Sequence, residues 1–235
     1  MRLKFGIEML DEILDGGLDK DTINLIIGKS GVGKTILASH WAAEGAKNGE
    51  NVVYLATTLG RKSCESYLGK MKFMEDVFNK IHWRFIRIET KYLLPLTYDK
   101  IRESVTATIK MDLKDVDRLV FDTVTDMDKA LHDPVLYRQA LRYLSRLFYE
   151  NDVTAIFVEE EYGDGEWSEA RNLAECVIHL RILRIPGGYT RALRIVKKYR
   201  VGHPLHYIPF EITSDGIVIR EGKLVGREYD YIWVE

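Results

Sequence analysis

Cysteine, glutamine and long apolar runs are scarce in this sequence. Its two cysteines, Cys64 and Cys176, lie far apart and lack the spacing of a metal site, so we expect free thiols in a reducing compartment. No window has the length and apolarity of a membrane span or of a signal peptide, which predicts a cytoplasmic protein. A single glutamine, Gln139, among many Lys, Arg, Glu and Ile residues favours a thermophilic source.

The sequence also lacks a strong excess of charge of one sign. Its formal net charge is -2 and its pI is about 6.3, which excludes the bulk basic character typical of obligate nucleic-acid binders. It does have an apolar fraction of 46% over 235 residues, enough to bury the core of an α/β domain of this size. No linker, repeat or low-complexity segment divides the chain, so we expect a single domain spanning residues 1–235.

Short apolar runs rich in β-formers alternate with helix-like segments along most of the chain. Such runs suit strands that are buried on both faces of a parallel sheet. Strands are predicted at residues 22–28, 51–57, 83–89, 118–122 and 153–159. Helices are predicted near residues 34–48, 62–73, 98–111 and 134–150. This alternation predicts an α/β fold with a mostly parallel central sheet flanked by helices and joined by right-handed crossovers.

The pattern changes after Cys176. Two long β-like runs follow, separated by the turn sequence Pro-Gly-Gly at residues 186–188. Two strands around a short glycine-containing turn pair as a hairpin. We therefore predict a C-terminal antiparallel β-hairpin that extends the sheet.

The stretch GKSGVGKT at residues 28–35 matches the P-loop pattern G-x-x-x-x-G-K-[ST]. It lies between a predicted strand and a predicted helix, which is the context that this loop requires. Its glycines let the backbone curl so that N–H groups point at phosphates, and the helix N-terminus adds the positive end of its dipole. The predicted nucleotide-binding residues are Gly28, Lys29, Ser30, Gly31, Val32, Gly33, Lys34, Thr35 and Ile36.

Three side chains complete the predicted triphosphate site. Lys34 would neutralise the β- and γ-phosphates, which makes it a candidate catalytic residue, and Thr35 would offer its hydroxyl to Mg²⁺. Asp122 ends an apolar strand, where a Walker B aspartate would lie beside the P-loop; taken alone, it could be an ordinary strand terminus. Together they predict a site for ATP (or GTP) and Mg²⁺, with Thr35 and Asp122 as the metal ligands.

Several segments beyond the P-loop are similar to those of KaiC-like proteins of the RecA/RadA superfamily. They are FGIEMLDEILDGG near the N-terminus, RLVFDTVT around Asp122, LAECVIHLRI, and KKYRVGHPLHYIPFEITSDGIVI near the C-terminus. The resemblance covers nearly the whole chain. It implies a RecA-like core, a homo-oligomer in the form of a ring (a hexamer, for example) or a filament, and nucleotide held between neighbouring subunits.

The resemblance also implies a pair of catalytic cations that reaches the γ-phosphate of a neighbouring subunit. In KaiC-like proteins this pair has the form K-x-R, which Lys198 and Arg200 supply here. Residues two apart on a strand project from the same face, so we expect the two cations to point together. The alternative is a charged hairpin edge that discourages strand pairing.

One position departs from the family pattern. The family places two adjacent acids after the second strand, and one of them is the base that activates water. Thr58 and Leu59 occupy these positions here, and threonine cannot take a proton near neutral pH. We therefore expect ATP binding with slow or impaired hydrolysis. Glu65, Glu159 and Glu160 are alternative bases, although we expect each to be an ordinary surface acid.

Candidate contacts with nucleic acid are few. RecA-type recombinases bind DNA through loops at the ring or filament axis, but the corresponding segment here, EEEYGDGEWSEARN, is acidic, which disfavours phosphate contact. Its Tyr162 and Trp167 could stack on a base or could anchor the loop. Arg138, Arg142 and Arg146 recur every four residues, and we expect them to form a solvated helix face with ion pairs. Further basic candidates lie on the predicted hairpin: Arg181, Arg184, Arg191 and Arg194.

Three functional hypotheses follow. The first is an ATP-dependent RadA paralogue that modulates DNA recombination or repair, with single-stranded DNA or a recombinase as its partner. The second is a nucleotide-dependent signalling or scaffold protein with no DNA role. The third, a KaiC-type autokinase, is the weakest, because only Ser168 lies ahead of the hairpin as a phosphosite. We expect the biochemistry of the second within the family of the first, and no membrane partner.

Overall fold

The computed structural model describes residues 1–161, 168–227 and 230–234. Its strands are β1 (Arg2–Leu3), β2 (Leu18–Asp19), β3 (Ile23–Gly28), β4 (Val52–Ala56), β5 (His82–Phe85), β6 (Arg118–Asp122), β7 (Thr154–Glu160), β8 (Cys176–Ile185), β9 (Gly188–Lys198), β10 (Ile208–Thr213), β11 (Gly216–Ile219), β12 (Lys223–Arg227) and β13 (Asp230–Val234). Its α-helices are α1 (Glu8–Ile13), α2 (Lys34–Lys47), α3 (Arg61–Tyr67), α4 (Thr90–Leu93), α5 (Tyr98–Ile109), α6 (Thr125–Leu131), α7 (Pro134–Tyr149) and α8 (Glu169–Leu173).

One sheet, with nine strands in the described part of the chain, organises the fold. Its strand order is β11-β10-β9-β8-β3-β7-β6-β4-β5. The six strands from β8 to β5 in this order run parallel, while β9, β10 and β11 continue the sheet antiparallel. The predicted α/β fold is therefore confirmed, and so is the hairpin extension, because β8 and β9 pair around the predicted turn.

Helices cover both faces of the sheet and bury a separate apolar cluster against each. The face covered by α2 buries Val120 and Val158, and the face covered by α5, α6 and α7 buries Phe121 and Phe157. Successive side chains of a strand point to opposite faces. The even-numbered residues of β6 and β7 consequently face α2. Acidic side chains at these positions lie on the side of the sheet that carries the helix of the P-loop.

Two predicted elements are wrong in extent, each for a local reason. The helix predicted at residues 62–73 ends at Tyr67 and is followed by short 3₁₀ turns, because Gly69 packs against the ring of Phe78 and Met71 is extended. The strand predicted at residues 83–89 ends at Phe85, because its neighbour β4 ends at Ala56 and offers no further partner. No helix of the described residues is long and apolar enough to cross a membrane.

Candidate functional site

The P-loop connects the carboxyl end of β3 to the N-terminus of α2. Gly33 is the N-cap of α2 and has a φ of 113°, a left-handed conformation that side-chain-bearing residues rarely adopt. Gly28 is required for a different reason, since a Cβ there would lie 2.3 Å from the carbonyl oxygen of Leu180 in β8. The loop therefore makes a sharp turn that ends at the N-terminus of a 14-residue helix. The unpaired backbone N–H groups at this end of a helix bind phosphate favourably.

Lys34 begins α2, and its ammonium group lies over the loop. Its Nζ donates a hydrogen bond to the carbonyl oxygen of Lys29 at 2.9 Å. Burial lowers the pKa of Lys34, while the carboxylates of Glu160, Asp122 and Glu161 act in the opposite direction. A phosphate oxygen is a stronger acceptor for an ammonium group than a neutral carbonyl. A bound phosphate can therefore replace the carbonyl oxygen of Lys29 as the acceptor for Lys34.

Asp122 ends β6 on the sheet face that α2 covers. The hydroxyl of Tyr54 donates to its Oδ2 at 2.8 Å. Burial raises the pKa of Asp122, and hydrogen bonds with the side chains of Thr35 and Tyr54 lower it. The structure thus brings Thr35 and Asp122 together, as predicted for the metal site. A hydroxyl and a carboxylate oxygen fit Mg²⁺, which completes its shell with phosphate oxygens and water.

A cleft of about 500 Å³ opens above the P-loop, a volume in the range of small-molecule sites. Of the predicted site residues it is lined by Ser30, Gly31, Gly33, Lys34, Thr35, Ile36 and Asp122. Its further lining residues are Thr58, Leu59, Tyr67, Thr123, Glu160, Arg191 and Ile212. The side chain of Val32 is instead buried in the core.

The segment that follows β4 holds threonines where the family pattern has acids. The hydroxyl of Thr57 donates to Oδ2 of Asp126 at 2.6 Å and accepts from the backbone N–H of Thr123 at 2.9 Å, so it is engaged within the protein. Thr58 is exposed, and it lines the cleft together with Leu59. None of the three residues that follow Ala56 in the described chain therefore has a side chain that could take a proton from water near neutral pH.

The three alternative bases have three different environments. Glu65 pairs with Arg61 at the surface, as expected of an ordinary surface acid. Glu159 is only 6% exposed; it accepts a hydrogen bond from Tyr137 at 3.2 Å, and burial raises its pKa. Glu160 is half-buried and lines the cleft. The prediction of a surface acid is thus wrong for Glu159, because odd-numbered residues of β7 face the helices, and wrong for Glu160, because it faces the P-loop.

Lys198 and Arg200 do not share a strand face, which corrects one expectation. Lys198 ends β9, and its buried Nζ donates to the carbonyl oxygen of Gly17 at 2.9 Å and lies 3.7 Å from Asp19. Arg200 follows the end of the strand, has a φ of 66° and points outward, 4.0 Å from Glu175. Their contact with the nucleotide of a neighbouring subunit stays a prediction, for which Arg200 is the more accessible cation.

Arg191 lines the cleft, whereas the sequence offered it only as a candidate for nucleic-acid contact on the hairpin. It is half-buried on β9, and its Nε is buried without a hydrogen-bond partner within the described ranges. Strand alternation in the sequence could have indicated this position. Arg191 lies on the same strand face as Leu193 and Ile195, and these two pack into the apolar cluster on the α2 side of the sheet. An arginine in this position can interact with a bound anion.

Two arginines of α7, Arg138 and Arg146, form ion pairs, as predicted. Arg138 pairs with Glu169 at the start of α8. Arg146 pairs with Glu150 at 2.7 Å and lies over the ring of Tyr98, 4.4 Å from its centroid. At these two positions the helix face is therefore solvated and paired. Two further candidates for nucleic-acid contact, Tyr162 and Trp167, lie outside the described residues.

The sheet order, the P-loop and the position of Asp122 define a nucleotide-binding protein with a RecA-like fold. A family model described as "ATPase: KaiC" matches residues 3–223, and the chain belongs to this family. It is 28% identical over 244 residues to a UPF0273 protein of Pyrococcus horikoshii, with 96% of each chain covered. It is 25% identical over 244 residues to the circadian clock oscillator protein KaiC 1 of a Synechocystis species, of which it covers 44%. The crystal structure of a KaiC-like protein from Pyrococcus horikoshii superposes with a TM-score of 0.77 at 25% identity, with 94% of this chain and 99% of that chain covered.

Proposed function

We propose that this chain binds ATP with Mg²⁺ in the P-loop cleft. The observation that carries the proposal is the convergence of Lys34, Thr35 and Asp122 on one cleft at the N-terminus of α2. These residues correspond to the lysine, the hydroxyl and the acid that recur in P-loop phosphoryl-transfer sites. Thr35 and Asp122 would hold Mg²⁺, which would offset the charge of the phosphates.

Hydrolysis is slow in this proposal. The position that carries the base in the family pattern holds Thr58, and its neighbours in the chain are Thr57 and Leu59. Loss of a general base lowers the rate by about 10²–10⁴-fold. The chain would therefore remain in its ATP-bound state for much longer than a motor protein does.

The bound nucleotide stabilises a homo-oligomer, a ring or a filament, in which a neighbouring subunit contacts the γ-phosphate. The exposed guanidinium of Arg200 supports this part of the proposal, because an arginine supplied in trans is a recurring component of such sites. Lys198 would have to give up its hydrogen bond to Gly17 to take part. Arg200→Ala should consequently weaken the ATP-dependent assembly more than it weakens ATP binding.

For the cellular role we propose an ATP-gated RadA paralogue that modulates DNA recombination or repair, with single-stranded DNA or a recombinase as its partner. The second candidate is a signalling or scaffold protein with no DNA role. The ion pairs of Arg138 and Arg146 favour the second candidate, because arginines that are already paired contribute less to phosphate binding. Salt-dependent binding of single-stranded DNA would support the first candidate, and its absence at low salt would support the second.

Titration with a fluorescent ATP analogue, with and without Mg²⁺, tests the nucleotide site, and sedimentation with the same ligands tests assembly. Lys34→Ala is the blank, because it removes the cation over the loop and leaves the fold of α2 intact. We expect Mg²⁺-dependent binding that this variant loses. Equal binding by both proteins, or none by either, would refute the proposed site.

A further inference from the structure

We propose that Glu160 supplies the carboxylate that accepts the proton of the attacking water in the slow hydrolysis that remains without an acid at position 58. The inference rests on the proposed function, because it requires ATP in the P-loop cleft. Its starting point is that the cleft has a second carboxylate besides Asp122, and that this second carboxylate is Glu160.

The strand register places Glu160 beside the P-loop. Strand β7 lies between β3 and β6; in it Glu160 is paired with Gly28, the first residue of the loop. Asp122 is paired with Val158 of the same strand. Val158 and Glu160 are two residues apart on the face that α2 covers, so Glu160 lies about 7 Å further toward the carboxyl edge than Asp122. The two acids therefore occupy different levels of one cleft.

Local contacts hold this end of β7 in position. The backbone N–H of Glu160 donates to Oγ1 of Thr125 at 2.8 Å. Its Oε2 lies 3.9 Å from the ammonium group of Lys129, which is also 3.9 Å from Asp126. Of the acids near Lys34, Glu160 is the one whose charge acts on it most strongly. The carboxylate of Glu160 is therefore near enough for its charge to act on Lys34, the residue that would meet the β- and γ-phosphates.

The other acids near Glu160 do not line the cleft, apart from Asp122. Asp126 accepts the hydroxyl hydrogen of Thr57, and Glu161 contacts Nε2 of His179 at 3.0 Å on the opposite face of the sheet. Glu159 also lies on that opposite face, where it accepts a hydrogen bond from the hydroxyl of Tyr137. Asp122 would hold the metal in the proposed function. Of the described acids that line the cleft, Glu160 is the other one, and its position in the cleft is what assigns it to proton transfer.

The step balances in atoms and charge. The water oxygen forms a bond to the γ-phosphorus, and the bond from that phosphorus to the oxygen bridging to the β-phosphate breaks, which leaves ADP. One proton of the water passes to the carboxylate of Glu160. That proton then leaves to solvent or to the phosphate product, and the carboxylate is restored.

The test measures steady-state ATP hydrolysis and ATP binding for Glu160→Gln, which keeps the shape of the side chain and removes the base. Glu65→Gln is the matched control, because that acid pairs with Arg61 outside the cleft. Because the unmodified chain already turns over slowly, we expect Glu160→Gln to lower turnover by about 10²-fold, the lower end for a general base, or to the Lys34→Ala blank. ATP affinity should stay unchanged to within about threefold. The control should turn over at the unmodified rate.

A double variant, Thr58→Glu with Glu160→Gln, provides a rescue. A carboxylate at the family's position should restore turnover above that of Glu160→Gln alone. A Mg²⁺ titration of the rate separates a proton acceptor from a metal ligand, because a proton acceptor leaves the half-saturating Mg²⁺ concentration unchanged.

The remaining outcomes of these measurements would overturn either the role of Glu160 or the proposed function. Unmodified turnover in Glu160→Gln, or turnover of the unmodified chain no higher than the Lys34→Ala blank despite ATP binding, would overturn the role of Glu160 and leave the proposed function standing. A large rise in the required Mg²⁺, or loss of ATP binding in Glu160→Gln, would also overturn that role. Failure of the unmodified chain to bind ATP would overturn the proposed function itself.

Discussion

A carboxylate at position 58 is expected to accelerate ATP hydrolysis. Thr58 is exposed and lines the cleft, so the longer glutamate side chain in Thr58→Glu needs neither burial nor displacement of a neighbour. Substitutions at such surface positions change the free energy of unfolding by about 0.5 kcal/mol or less. A change in rate can therefore be attributed to the new carboxylate rather than to altered folding.

The size of the gain follows from the chemistry of the base. A well-placed general base contributes about 10²–10⁴-fold. The segment after β4 is fixed only as far as Thr57, whose hydroxyl is held by Asp126 and by the N–H of Thr123. The next residue has no such support, so we expect the lower end of the range, about 10²-fold or less for Thr58→Glu.

The assay is phosphate release at saturating ATP and Mg²⁺, with Lys34→Ala as the blank. Thr58→Gln is the matched control, because it has the length of glutamate and cannot accept the proton. A rate that stays at the unmodified level in Thr58→Glu, although ATP binds, would refute the idea that the missing acid limits turnover. A rise of the same size in Thr58→Gln would show that side-chain length, not basicity, is responsible.

Three further predictions follow from individual contacts. Arg191→Ala should weaken ATP binding by about tenfold, because a charge-assisted hydrogen bond contributes about 1.5–3 kcal/mol; an unchanged affinity in the fluorescence titration would contradict this. Arg118→Leu should lower the free energy of unfolding by about 3 kcal/mol in urea denaturation, because it leaves Glu50 without its buried partner; a loss below about 1 kcal/mol would contradict it. His40 accepts the N–H of Ile217, and burial lowers its pKa to about 3. As the pH falls, the unfolded chain therefore binds a proton at His40 before the folded chain does. The free energy of unfolding should decrease as the pH drops from about 6.5 toward 3, by about 1.4 kcal/mol per pH unit. The decrease should be smaller in His40→Gln.

The P-loop and Asp122 could be predicted from the sequence because their placement depends on local chain geometry. A glycine-rich turn between a strand and a helix specifies its own conformation. An acid at the end of a buried parallel strand must lie at the carboxyl edge of the sheet. The parallel core follows in the same way from the strand–helix alternation, so these features need no knowledge of distant contacts.

The placement of Lys198 could not be predicted in this way. The K-x-R pattern states which residues occur, but the carbonyl oxygen that holds the ammonium group belongs to Gly17, 181 residues earlier in the chain. That contact exists because the N-terminal strands β1 and β2 fold beside the end of β9. Arg200 leaves the strand at the same point. For the pair to contact the nucleotide of a neighbouring subunit, that nucleotide would therefore have to replace the carbonyl oxygen of Gly17 as the acceptor for Lys198.

The three consecutive acids at the end of β7 show why register carries functional information. Glu159 and Glu161 point to one face of the sheet, where Tyr137 and His179 bind them. Glu160 points to the other face, into the cleft. In the sequence the three are equivalent; the pleat separates them, because successive side chains alternate. A carboxylate at the end of β7 and one after β4 can serve the same cleft, since both strands flank β6 and its Asp122. Loss of the acid at one strand end therefore need not abolish turnover, because the slow hydrolysis that remains would use the carboxylate at the other.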